Sequence, residues 1–436
     1  MKIVAWLASS LVCAGLVACS PGAPLAPSPS VSTSVPIASV PATPTSLATP
    51  VATRVPTARP LVTPSGTITL TVWMADDIAP GASPAGRIFR NQIDAFTAAN
   101  SNIHIEIIPK KASGKGGLLD FLTTTRAIVP ARMPDLIALD MSEVPFAAEL
   151  GILQPLDGLL PAELSADFFP FASAAARYRN RWVAFPFAVN VEHLVYNKAV
   201  IRLVPKTWED FTKQKGALLL PLGGDDAFLV QYFALGASLT DAANQTAIDS
   251  NATAQVLSFV KRAHDLGLIP EAASGLKTVD EVWPMFAAGQ VPMAQVSASR
   301  YLNERSKLPN AGYAAIPSQE GRVSTLADGW ALGVVTPDPT RQAATARFVQ
   351  WIVQGERLAP WLRAVRLLPA SRAAIVLSVD PPEYATFLRD QLEHATSLPS
   401  PSTYNKQSEA WRAAISAVWK GQMTPEEAAR NAAATK

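Results

Sequence analysis

The chain has 436 residues, 49% of them hydrophobic, more than one compact core holds and enough for two lobes with appendages. Its formal net charge is +2, but Lys2, Arg54 and Arg59 precede Thr67 with no acidic residue among them, so the remainder carries −1. A near-neutral region of mixed sign offers no basic face, which excludes nucleic acid as a partner.

The N-terminus reads as an export signal: Lys2, the mostly apolar run Ile3 to Val17, then small residues before Cys19. That run is too short for a stable membrane span. Leu16-Val17-Ala18-Cys19 resembles a bacterial lipobox, which implies cleavage before Cys19, acylation of its thiol, and an extracytoplasmic protein held to a membrane by lipid. Acyl chains contribute about 0.8 kcal/mol per buried methylene. The other cysteine, Cys13, leaves with the signal, so no disulfide is expected. The alternative is an ordinary signal peptide that happens to contain two cysteines.

Residues 20–66 are almost wholly Pro, Ser, Thr, Ala and Val. This composition builds no core and predicts an extended, disordered tether spanning about 3 Å per residue. The folded part opens with "TITLTVW", where Ile68, Leu70 and Val72 alternate with Thr as in a strand. Trp73 to Asp77 read as the loop that follows. "IFRNQIDAFTAAN" has helical spacing, "IHIEIIP" alternates as a second strand, and "LLDFLTTTRAI" followed by "PDLIALD" repeats the unit. Such βαβ repeats predict a parallel sheet covered on both faces, and ligands of these sheets bind at carboxyl strand ends. From Pro205 to Gln290 amphipathic helices dominate, with short strands such as "ALLLPL", predicting a second, more helical lobe. Strand signals return in "VPMAQV", "AGYAAIP" and "GWALGVV"; the last hundred residues are again helical.

Eight strings in order resemble the sugar-binding family of extracellular solute-binding proteins of ABC importers, the family that includes maltose-binding protein. They are "ITLTVW", "MPDLIALD" with "ELGILQPLDGLL", "WVAFPFAVNVEHLVYNKAV", "PKTWEDF", "FAAGQVPMA", "YAAIP" with "DGWALGVV", "ARFVQWI" and "WKGQMTPEEAA". The resemblance runs from Thr67 to the C-terminus. It implies an α/β, two-lobed periplasmic-binding-protein-like fold of type II, whose discontinuous lobes are joined by a hinge crossed three times. The crossings are expected near Ala188 to Glu192, Leu308 to Gly312 and Gln354 to Leu358. One lobe then comprises 67–188 with 312–354, the other 192–308 with 358–436. It further implies a monomer that delivers its ligand to permease subunits.

A sugar needs flat aromatic faces and fixed hydrogen-bonding groups. Trp73 and Asp76 follow the first strand, and Asp140 follows "LIAL", so all three are candidates at carboxyl strand ends, although Asp also caps helices. Asn190 lies in the hinge string with both a donor and an acceptor, and Glu192 follows two residues on. Tyr301 and Trp330 are the aromatic candidates, Asp328 and Gly329 belong to "LADGW", and Tyr404 precedes the last helices. Two departures from the maltose-binding pattern leave the substrate open: the insertion "IAPGASPAGRIFRN", and Arg300 in "VSASRY", which could pair with an anionic sugar or phosphorylated group.

An enzyme needs a reactive constellation, and the four histidines are scattered without zinc-type spacing or a nucleophile elbow. No catalytic residue, metal or cofactor is expected. Two alternatives stay open: a secreted carbohydrate-active hydrolase, for which paired acids could serve, and a binder of a non-sugar solute such as a peptide or polyamine.

Overall fold

A computed structural model describes residues 66–159, 161–214, 216–224, 226–240, 246–397 and 401–435. The signal, Cys19 and the tether up to Ser65 lie outside the described residues. The strands are β1 (Ile68–Ala75), β2 (Ile103–Lys110), β3 (Leu136–Asp140), β4 (Arg177–Tyr178), β5 (Arg181–Trp182), β6 (Phe185–Asn197), β7 (Leu218–Leu219), β8 (Met293–Ser297), β9 (Ala311–Ala314), β10 (Thr325–Val334), β11 (Leu368–Pro369) and β12 (Ala395–Ser397).

β4 and β5 form a small hairpin; the others form one mixed sheet with the path β2-β1-β3-β10-β6-β8-β7. β1 is parallel to β2 and β3, as the βαβ reading predicts. β10 inserts antiparallel between β3 and β6. The alternation of β1 ends at Val72, and Trp73, Met74 and Ala75 are all buried, because the strand lies between two others and beneath the helices Leu118–Ile128 and Pro339–Ile352. Asp135 ties this layer together. Only 4% exposed, its carboxylate accepts the Thr71 amide at 2.8 Å and both Nε and an Nη of Arg341 at 2.6 and 2.5 Å. This is a two-pronged, charge-assisted contact that satisfies a buried acid.

β6 organises the sheet. Its Phe185–Val191 half pairs with β10 and β11, and its Glu192–Asn197 half pairs with β8 and β9. The change of partners between Val191 and Glu192 divides the sheet in two.

The other expected crossings need correction. β9 pairs with Leu194–Asn197, so the chain returns to the first half of the sheet after Ala314, not at Leu308 to Gly312. The segment from Leu358 also returns to that half, although its helix Pro382–Glu393 sets Tyr384 and Phe387 against His193, Tyr301 and Tyr313 of the other. The helix Gly355–Val365 packs on the helix Pro84–Ala99, with the Trp361 ring stacked on Phe89 at 4.5 Å, and β11 and β12 pair with β6 and β10. The helices Pro401–Trp419 and Pro425–Ala433 pack on the helix Ser250–Asp265 of the other half. The apolar content of 355–397 matches either half, so the sequence could not show which one it joins.

Candidate functional site

Cross-strand neighbours of an antiparallel pair point to the same side of the sheet. Asp328 lies opposite Asn190, and Trp330 lies opposite Ala188 on one side and Asp140 on the other. Period-two alternation then places Asp140, Trp330, Asp328, Asn190 and Glu192 on one face, where β6 changes partners. Gly329 allows the close approach of the two strands: a Cβ there would sit 2.3 Å from the Ala188 carbonyl oxygen. The sequence reading gave this glycine a ligand-facing role, and its backbone neighbour is β6.

A recess of about 240 Å³ opens on this face, lined by Asn190, Glu192, Asp226, Asp280, Ser297 and Asp328 among others. An adjoining recess of about 370 Å³ shares Asn190, Asp280 and Ser297 and adds Ser299, Arg300, Asn303 and Arg366. Two glycines build the acidic wall. Gly223 donates its amide to the Leu276 carbonyl at 2.7 Å, and a Cβ on Gly224 would lie 2.1 Å from the Lys277 oxygen. The chain therefore presses flat against 276–277, and two helices, Asp226–Ala234 and Val279–Ala287, start side by side with an acid in each first turn. Helix N-termini favour negative charge, which stabilises acids placed there.

The polar groups are held in position. Asn190 Oδ1 accepts the Ser299 amide at 3.0 Å, and Ser297 Oγ accepts the Arg300 amide at 3.1 Å. Glu192, 9% exposed, accepts a hydrogen bond from Gln295 Nε2. Burial, and then the neighbouring Asp226, push its carboxyl well above the usual range. Asp328 opens onto the recess but is ringed by protein. Lost solvation, with Asp140 and Asp226 next, pushes it up to about 7. Arg300 Nε donates to Asp280 at 3.0 Å, so the guanidinium that the sequence left for an anionic ligand already has an acid partner.

Other candidates fall elsewhere. Trp73 lies inside β1 and not in a loop, paired with Ile108 and Ile137 and 5% exposed, with Lys110 Nζ 5.1 Å from its ring. Its apolar neighbours extend the strand three residues beyond the predicted end. Asp76 is exposed at the end of β1 and lines neither recess. Asp140 behaves as the cap its residue type allows, accepting Ser142 N and Oγ at 2.8 and 2.6 Å. Tyr301 is in the helix Ala298–Glu304, buried in a ring cluster behind β6. Tyr404 is buried beside Trp411. Trp330 stays partly exposed on the recess face, although it forms no part of either wall.

Sequence reasoning missed Asp280 and Ser297. Each sits at a helix start, where acids and serines occur for capping alone, so no local signal separates the two roles. A larger recess of about 650 Å³ between Trp208, Phe259 and Glu426 holds none of the candidates. With Trp208 stacked on Phe259 at 4.5 Å and its Nε1 bonded to Gln231, its aromatic wall is already engaged. Among the described residues no cluster of acids, histidines or cysteines could hold a metal ion, and no helix is long and apolar enough to cross a membrane.

Comparison with known proteins places this geometry. The sugar-binding protein MalE from the phytopathogen Xanthomonas citri superimposes with a TM-score of 0.71 at 18% identity, covering 84% of this chain and 95% of that one. The cyclic alpha-maltosyl-1,6-maltose binding protein from Arthrobacter globiformis gives 0.69 at 21% identity, over 84% and 97%. Both likenesses establish the two-lobed α/β fold. A maltotriose-binding protein of Pyrococcus abyssi is 30% identical over 92 residues, so the match spans about a fifth of either chain, 21% of this one and 20% of that relative. The model of the family described as bacterial extracellular solute-binding protein matches residues 91–387, more than half of the sequence, and the chain belongs to that family.

Proposed function

We propose that the protein is the substrate-binding component of an ABC importer, capturing a sugar of maltodextrin type in a cleft at the β6 crossing. The observation that carries this reading is the shared face of Asn190, Glu192, Asp328 and Trp330 where β6 passes from one half of the sheet to the other. There, carboxyl and amide groups receive hydroxyls, and an indole face covers the apolar side of a ring. The names of the relatives support the sugar class.

Among the described residues two segments join the halves of the sheet: β6 at Val191 and Glu192, and the chain between Ala314 and Thr325. We assign them as the hinge, whose few residues absorb the backbone change on closure. A ligand touching both sides binds the closed form better and shifts the population toward it. Recess walls contributed by β10 on one side and by the helix starts at Asp226 and Asp280 on the other meet that requirement. Membership of an extracellular family supports work outside the cytoplasm. The lipobox-like Cys19 supports lipid anchoring of a monomer that meets its permease at the membrane.

Thermal melts against maltose, maltotriose, longer maltodextrins, peptides and polyamines test the assignment. A ligand at a hundred times its Kd adds about 2.7 kcal/mol. The expected result is a rise in Tm with maltodextrins that Trp330→Ala removes. A response to peptides alone would overturn the sugar assignment.

A further inference from the structure

Resting on the sugar-capture reading, we infer that the preferred solute is a sugar carrying an oxyanion group, a carboxylate or phosphate, and that Arg366 receives this group in the recess of about 370 Å³ beside the strand crossing. That recess lies between the two halves. Ser299, Arg300 and Asn303 line it from the helix Ala298–Glu304, and Arg366 lines it from the C-terminal cap of the helix Gly355–Val365.

The backbone and the side chain both single out Arg366. Its φ of 62° and ψ of 28° are left-handed, a conformation that a Cβ disfavours and that glycine usually fills at a helix C-terminus. The other described non-glycine residues with positive φ, Arg179 and Asn180, make the turn between β4 and β5. Nearby along the chain, Arg357, Arg363 and Arg372 donate to Gln354, the Leu377 carbonyl and Glu393. Among the described residues the Arg366 guanidinium has no such acceptor. A side chain that glycine would replace with less strain, and whose donors the fold does not use, points to a role in binding.

The charge of the recess describes the group it takes. Arg300 Nε donates to Asp280 at 3.0 Å, so these two charges offset each other. The C-terminus of Gly355–Val365 and the N-terminus of Ala298–Glu304 add dipole ends of opposite sign, roughly half a charge each. The Arg366 charge is left over, and a guanidinium keeps its proton across the working pH range. Glu192, Asp226 and Asp328 line the other recess and not this one. Burial holds Glu192 and Asp328 toward their protonated forms, in which they meet ring hydroxyls as donors. The planar fork of an arginine matches carboxylate or phosphate oxygens, and such charge-assisted bonds are about twice as strong as neutral ones. An oxyanion seated there reaches both halves and so favours the closed form.

Isothermal titration of the full chain against matched sugars tests the inference: maltose against maltobionate and against maltose 1-phosphate, with inorganic phosphate as an anion that is no sugar. The expected result is an anionic sugar binding at least about tenfold tighter than maltose, with an advantage that shrinks as salt is raised; the tighter of the two assigns carboxylate or phosphate. Arg366→Gln should bring the ratio of anionic to neutral affinity close to unity, and Arg366→Lys should restore part of it. Arg366→Gly, which relaxes the left-handed cap, should lose the preference while raising the melting temperature of the empty protein. Maltose binding as tightly as both anionic sugars, a preference that survives Arg366→Gln, or a lowered melting temperature in Arg366→Gly overturns the inference and leaves the capture reading standing. Binding of inorganic phosphate alone, or of nothing in the panel, overturns both.

Discussion

Asn190 and Glu192 project from one face of β6, His193 from the other, and the two environments are opposites. On the recess side, acids crowd one another and Asp328 and Glu192 are driven toward their protonated forms. On the reverse side, His193 is packed edge-on against Tyr301, Tyr384 and Phe387, with Nε2 2.8 Å from the Tyr384 hydroxyl and Nδ1 2.9 Å from a backbone carbonyl. Burial drives it down to about 4, so it is neutral at pH 7. One strand thus carries a polar, acid-crowded surface that lines the recess and a dry surface closed by aromatic rings. The difference shows how one strand can be held in place by one face while the other lines a recess.

Removing the dry side should cost the most. Tyr384 is fully buried, and Tyr384→Ala should cost about 3–5 kcal/mol, read as a large fall in melting temperature, with solute affinity of the folded fraction unchanged. A loss of affinity at unchanged stability would place Tyr384 in the site instead. On the recess side, Asn190→Ala should weaken solute binding about tenfold, measured calorimetrically, with a smaller loss of stability from the unpaired Ser299 amide.

Titration should separate the two faces by sign. Asp328 keeps its proton when folded and releases it when unfolded, so the empty protein should lose stability as pH rises from about 4 to 7. His193 is neutral when folded and takes a proton when unfolded, so its contribution is present above about 6.5 and lost as pH falls toward 4. Melting curves across this range should show Asp328→Asn reducing the first slope, to which Glu192 also contributes, and His193→Gln reducing the second. Parallel slopes in both variants would dissolve the contrast. The smallest effect is expected from Tyr301→Phe, whose hydroxyl reaches the Ala311 carbonyl only at 3.4 Å: under about 1 kcal/mol, with solute binding untouched.

The two faces were unequally legible in the sequence. Asn190 and Glu192 interrupt the apolar run of "FPFAVNVEHLVYN" two residues apart, which in a strand marks one polar side. The alternation of β1 and β2 likewise revealed the sheet. Tyr301 was misread because an aromatic at a helix start after a strand looks the same whether it faces ligand or core. Only the rings of Tyr313 and Tyr384, distant in sequence, decide it. The acidic wall depended on Gly223 and Gly224 pressing against 276–277, a tertiary contact with no local signature, and the path of 355–397 depended on Trp361 finding Phe89.

The most direct test is a crystal structure with the sugar that gives the largest melting shift. The account predicts sugar density in the recess between Asn190, Glu192 and Asp328, with the two halves of the sheet closed around it. Sugar bound instead in the recess between Trp208 and Phe259, with the β6 face empty, would contradict it.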